Sequence, residues 1–153
     1  MKPIPFLLVL AAIAACDLST GSTVQDPPPR VVDSTGHPYT AYMVQGQPLP
    51  YTFNSGINHT VVSANLCLFT NGAYRFSEWL NTPSDFTPDA YYEYFGTYTL
   101  SPAGKVVFPG QATSVGGIGK DSLNYFYPLG SRSYLFAPDP KQLNQSCLKP
   151  ATP

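Results

Sequence analysis

The stretch Val61–Leu80 constrains this chain more than any other. Val62, Ala64, Leu66 and Leu68 are apolar at every second position, and Ser63, Asn65 and Cys67 alternate with them. That period of two marks a strand with one face on a core. Asn71-Gly72 follows, a dipeptide suited to the positive φ values of a tight hairpin turn. Ala73–Leu80 then returns, with Tyr74 and Phe76 on the inner face. In this register Cys67 points away from the core.

The rest of the chain reads as further short strands. Tyr39–Val44 is a first strand, broken by Gly46-Gln47-Pro48-Leu49-Pro50 because two prolines cannot serve a central ladder. Tyr51–Asn58 is extended or looped. Asn81–Asp89 holds two prolines and is a loop. Tyr91–Leu100 is a long strand with Tyr92, Tyr94, Gly96, Tyr98 and Leu100 on one face, and Gly96 suggests a bend or bulge. Ser101-Pro102-Ala103-Gly104 turns the chain into Lys105–Phe108. Gln111–Lys120 and Ser122–Tyr127 form a further pair, and Ser133–Phe136 is a last strand. No helical period exceeds two turns. The expected fold is all-β: an antiparallel up-and-down meander of about seven or eight strands, closed into a small barrel because closure removes exposed edges.

The N-terminus carries an address. Lys2 precedes twelve mostly apolar residues, Ile4–Ala15, which end in Ile13-Ala14-Ala15-Cys16. As a helix the run would rise about 18 Å, too short for a ~30 Å hydrocarbon core, so it reads as a removable secretion signal. The small residues before Cys16 resemble the lipobox of bacterial lipoproteins. That resemblance implies a lipid on the Cys16 sulfur, which becomes the mature N-terminus; a non-lipidated signal peptide cut near Ala15 is the alternative. Two or more acyl chains give stable anchoring. The lipid would be the membrane attachment, on the outer membrane in preference to the inner, with the domain in the periplasm or outside the cell.

Four regions follow from this reading: a signal peptide over 1–15, a lipidated cysteine and proline-rich tether over 16–38, a β-barrel domain over 39–137 and a tail over 138–153. Without residues 1–15 the chain keeps 138 residues, seven Lys/Arg and nine Asp/Glu, a net charge of −2. The basic residues are scattered, so nucleic acid is not expected as a partner. Once Cys16 carries lipid, Cys67 and Cys147 remain. In an oxidising compartment a single Cys67–Cys147 disulfide is preferred to two separate buried thiols. It would close a loop of about 80 residues and pin the tail to the outside of the sheet.

Several motifs carry a family resemblance. Tyr42-Met43-Val44-Gln45-Gly46-Gln47-Pro48-Leu49-Pro50, Leu66-Cys67-Leu68, Asn71-Gly72-Ala73-Tyr74-Arg75, Gly96-Thr97-Tyr98-Thr99-Leu100, Val106-Val107-Phe108 and Tyr134-Leu135-Phe136 occur in that order. Together they resemble small, uncharacterised bacterial lipoproteins with a lipocalin-like β-barrel domain, and more distantly the META-type lipoprotein domain. The resemblance covers residues 39–137 and implies a small antiparallel barrel. It brings no catalytic residues.

Catalytic patterns are sparse. His37 falls in the tether and His59 in a loop, neither with Cys, His or carboxylate at metal-ligand spacing. Gly116-Gly117-Ile118-Gly119-Lys120-Asp121 lacks the first glycine of a phosphate loop, and Asp121 stands where Ser or Thr would hold magnesium, so it reads as a wide hairpin. Asp85, Asp89 and Glu93 lack a calcium-loop pattern and read as solvation of a long loop. No metal, cofactor or catalytic residue is expected.

Tyrosine is the enriched chemistry: aromatics make up 14% of the chain and charged residues only 11%. The rings either fill the barrel or line a cup at its mouth. For a cup, strand parity selects Tyr74, Phe76, Tyr92, Tyr94 and Tyr98. The expectation is a non-catalytic envelope lipoprotein whose barrel binds a small apolar ligand. A structural or interaction module with a filled core, meeting other envelope proteins, is the alternative; a hydrolase built around His59 ranks last.

Overall fold

The computed structural model describes residues 30–81, 90–111 and 116–150. The expected signal peptide, Cys16, the Pro27–Pro29 run, Asp85 and Asp89 lie outside the described residues. The chain is an antiparallel β protein built on a curled eight-stranded sheet that forms a half-barrel. In chain order the strands are β1 (Arg30–Val32), β2 (His37–Val44), β3 (Gln47–Pro48), β4 (Tyr51–Asn54), β5 (Asn58–Leu68), β6 (Ala73–Asn81), β7 (Ala90–Thr97), β8 (Thr99–Leu100), β9 (Val106–Val107), β10 (Leu123–Tyr127), β11 (Arg132–Pro138) and β12 (Leu148–Pro150). A 3-10 turn at Pro140–Gln142 and a short helix α1 (Leu143–Ser146) precede β12.

The main path runs β10-β11-β2-β5-β6-β7, so the last long strand pairs with the first. β3 and β4 are short flanking strands on β2 and β5, which leaves Pro48 and Pro50 off the central path. β10 and β7 end the path and, among the described residues, do not pair with each other. Rings bridge that gap: the Tyr74 and Tyr125 hydroxyls are 3.2 Å apart, and Tyr94 and Tyr127 have ring centroids 6.2 Å apart.

The core is aromatic. Tyr39, Phe76, Phe108, Tyr125, Tyr134 and Phe136 are all within 1% of full burial, packed with Val44, Leu66, Leu68 and Leu123. Rings of this size dominate the apolar area a small domain can bury. Burial pushes the Tyr74 and Tyr125 hydroxyls above their ordinary range, and each is held by the other.

Several expectations change here. The inner face of β5 begins at Val61 rather than Val62: a bulge between Val61 and Ser63 inserts one residue, turning Val62 outward at 39% exposure. Gly96 sits in an unbroken ladder with β6, not at a bulge. A Cβ there would lie 2.6 Å from the Tyr74 ring, so glycine makes room for that side chain. Among the described residues, the expected pairing of Gln111–Lys120 with Ser122–Tyr127 is absent, and Gly117 bridges Lys105. β10 pairs with β11 instead, and the Gln111 amide bonds both the N–H and the carbonyl of Phe126, standing in for a neighbouring strand.

Strand pairing also extends beyond residues 39–137. Arg30–Val32, expected in the tether, pairs with Leu148–Pro150 in the tail, and His37 and Pro38 already belong to β2. The tail is fastened by the Cys67–Cys147 disulfide on the outer face, where Phe69 and the two cysteines form a second buried cluster. The outward phase of Cys67 is what the alternation expects.

Candidate functional site

Period two places Glu78 in phase with Tyr74, Phe76 and Leu80, and Arg132 in phase with Tyr134 and Phe136. Both charged residues therefore face the interior, and both are buried. They meet across the half-barrel. Arg132 Nη2 donates to Glu78 Oε1 at 2.5 Å, and the Tyr134 hydroxyl donates to Glu78 Oε2. Arg132 Nε donates to the Tyr134 oxygen at 2.9 Å and Nη1 to the Gly130 carbonyl at 3.2 Å. The guanidinium carbon lies 4.4 Å from the Phe53 ring centroid, a cation–π contact. A Cβ at Gly130 would come within 2.5 Å of Arg132 Nη2 and 2.7 Å of Tyr127 Cδ1, so the β10–β11 turn must approach without a side chain.

Partners offset the desolvation that isolated buried charges would suffer. Burial works against the Arg132 charge, but the Tyr134 oxygen and the Glu78 carboxylate outweigh it and raise the guanidinium above its ordinary value. Burial, together with the negative Glu78, pushes the Tyr134 hydroxyl well up. Tyr127 shifts upward for the same two reasons.

This cluster lies beside an open cavity of about 340 Å³ at one end of the half-barrel. Phe53, Leu80, Tyr92, Tyr127 and Leu129 supply its apolar lining, and Ser55 and His59 its polar lining. The volume falls in the lower range of small-molecule sites. Three donor bonds engage Arg132. A guanidinium carries five N–H groups, so two have no acceptor among the described residues.

Of the five aromatics expected to form a cup, only Tyr92 lines this cavity, at 47% exposure. Tyr74 and Phe76 are core residues, ringed by Phe108 and Tyr125 and by Tyr125, Tyr127, Tyr134 and Phe136 respectively. Tyr98 is buried with its hydroxyl on the Phe69 carbonyl at 2.8 Å. Tyr94 is half-buried between Tyr74 and Tyr127. The reason is volume: these rings fill the interior of a small barrel, and the cavity lies beyond them at its end.

His59 is on β5 rather than in a loop, because the β4–β5 hairpin turns at Ser55-Gly56-Ile57; its ring stacks on Phe53 at 5.4 Å. His37 opens β2. Glu93, expected to solvate a loop, is clamped between Arg30 and Arg75. Gly116–Asp121 is a turn closed by the Gly117 N–H on Asp121 Oδ2 at 2.9 Å. Among the described residues no group of three or more His, Cys, Asp or Glu is placed to hold a metal ion. Ser55, His59 and Glu78 do share the cavity wall, but the carboxylate is already engaged by Arg132 and Tyr134. No protein-family model matches the chain, and no curated protein or solved structure matches it either.

Proposed function

We propose that this chain is a non-catalytic lipoprotein of the bacterial envelope, anchored through lipid on Cys16, whose half-barrel mouth binds a small, mainly apolar ligand. The observation that carries the reading is the open cavity of about 340 Å³ in which apolar side chains flank a buried Arg132–Glu78 pair. The ligand has an apolar body to cover Tyr92, Tyr127 and Leu129, and an acceptor oxygen for the spare Arg132 N–H groups. Glu78, held by two donors, positions the guanidinium.

The test uses a neutral naphthylamine dye that fluoresces in apolar surroundings. Saturable emission is expected with the wild-type domain and strong weakening with Leu129→Asp, a substitution at a 75% exposed position that leaves the core intact. A dye response unchanged by Leu129→Asp, with no small molecule in native mass spectra, would remove the ligand reading. The anchor is tested separately: Cys16→Ser should abolish incorporation of a palmitate analogue and release the protein from membranes.

A second reading rests on the packed interior. Tyr74, Phe76 and Tyr98 are core side chains, as in a module that meets other envelope proteins through its surface. Crosslinking in intact cells that traps a defined partner through outward residues would favour it.

A further inference from the structure

The outer face of the sheet holds a second concavity, of about 370 Å³, between β5, β6, β7 and α1. Strand register assembles it. Ser63, Trp79 and Tyr91 form one cross-strand row, and Asn65, Ser77 and Glu93 the next. Trp79 is 41% exposed and Tyr91 49% exposed, with ring centroids 5.9 Å apart and planes tilted by 47°. The disulfide-held tail brings Asn144 and Gln145 of α1 to the opposite wall.

The chemistry of this groove is specific. Its one cation, Arg75, is neutralised by Glu93 and spends further donors on the Tyr91 hydroxyl and on the Gln145 and Ser146 carbonyls. No charge is left to attract an ion. Meanwhile the hydroxyls of Ser63 and Ser77 and the side-chain amides of Asn144 and Gln145 make no hydrogen bond among the described residues. Primary amides offer donors and acceptors side by side. That pattern complements vicinal hydroxyls, which also both donate and accept. The aromatic facets complement a face of C–H bonds. Because the rings are tilted rather than parallel, they make two successive platforms and not a slot for one flat aromatic ring.

We infer that this groove binds a neutral oligosaccharide, with pyranose faces on Trp79 and Tyr91 and hydroxyls on Asn144 and Gln145. The groove lies on the opposite face of β6 from the cavity at the mouth and shares with it one lining residue, Glu78, whose carboxylate is engaged by Arg132 and Tyr134.

Trp79 is the only tryptophan in the chain, so its fluorescence reports on this groove alone. Cellotetraose and chitotetraose, titrated into the domain with its disulfide intact, test the assignment. A saturable change in Trp79 emission is expected with at least one of them, at a Kd on the order of 0.1–1 mM. Asn144→Ala combined with Gln145→Ala, both at exposed positions, should weaken binding by about tenfold while the melting temperature stays unchanged. Tyr91→Phe, which keeps the ring, should retain binding that Tyr91→Ala loses. Absence of a saturable response to either sugar up to about 10 mM overturns the inference. A response that survives the amide double variant overturns it equally.

Discussion

Arg75 and Glu78 lie three residues apart on β6 and belong to two ion-pair clusters on opposite faces of one sheet. On the outer face, Arg75 reaches Glu93, the Tyr91 hydroxyl and two backbone carbonyls of the tail. Glu93 is shared with Arg30, the first residue of β1. On the inner face, Glu78 meets a single arginine and a tyrosine, beside a cavity. The outer cluster ties the segments flanking the barrel to its wall. The inner cluster places a charged, hydrogen-bonding group where a barrel would otherwise be apolar. Both contain an Arg–Glu pair, and only their surroundings separate a fastening from a candidate site.

Removing one partner should therefore cost more inside than outside. Arg132→Met leaves Glu78, which is 1% exposed, without its cation and should destabilise the domain by about 3–5 kcal/mol in urea unfolding. Adding Glu78→Leu should recover most of that loss, falling short by about 1 kcal/mol for the Tyr134 hydroxyl left without an acceptor. A single variant as stable as wild type would show that water already reaches Glu78 and erase the contrast between the clusters.

The disulfide comes next. It closes 80 residues and lies in the same outer region that Arg75 fastens. Its loss in Cys67→Ser with Cys147→Ser should cost about 2–4 kcal/mol, read as a lower urea midpoint. The variant should also lose amide-exchange protection at β1 and β12 first, because among the described residues those strands pair only with each other. Uniform loss of protection would mean that the tail belongs to the main cooperative unit.

How much of this contrast was legible in the chain depends on the length of each element. Alternation over Val61–Leu80 with Asn71-Gly72 between is enough to place β5, β6 and the outward phase of Cys67. The same alternation puts Glu78 inside with Tyr74 and Phe76, and Arg132 inside with Tyr134, so a buried pair could have been read from parity. Reading acidic residues by local density pointed to Asp85, Asp89 and Glu93 instead. The bulge at Val61/Ser63 is invisible to a strict period of two and misplaces Val62. The β1–β12 pairing is also hidden, since three-residue strands have no periodicity and the two lie at opposite ends of the described chain. The cavity depends on which rings fill the core first, a matter of volume that strand parity does not encode.

Arg75→Met should have a smaller effect, about 1–2 kcal/mol, because Glu93 keeps Arg30 and the exposed Gln145 can return its carbonyl to water, which leaves the buried Ser146 carbonyl as the group that loses its donor. In the background lacking the disulfide the same substitution should cost measurably less than in wild type, since both changes release one tail. Strict additivity would separate the arginine from the fastening of that segment.

The smallest effect is a pH dependence of the outer cluster. Burial opposes the Glu93 charge, but hydrogen bonds from Arg30 and Arg75 outweigh it and hold the carboxyl below its ordinary 4.5. Asp33 is also lowered, by the Thr35 hydroxyl and then by Lys149 of β12. A lowered folded value means that the unfolded chain binds the proton more readily. The stabilisation is therefore complete above about pH 4.5 and is lost as pH falls through the folded value. Urea midpoints of wild type should decline across that acid window. Glu93→Gln should start lower and decline less steeply, retaining the Asp33 contribution. Parallel acid limbs would show that Glu93 releases no interaction when it takes up its proton. The outer arginines would then act through their backbone bonds alone, and the contrast between the two faces of β6 would rest on hydrogen bonding rather than on paired charge.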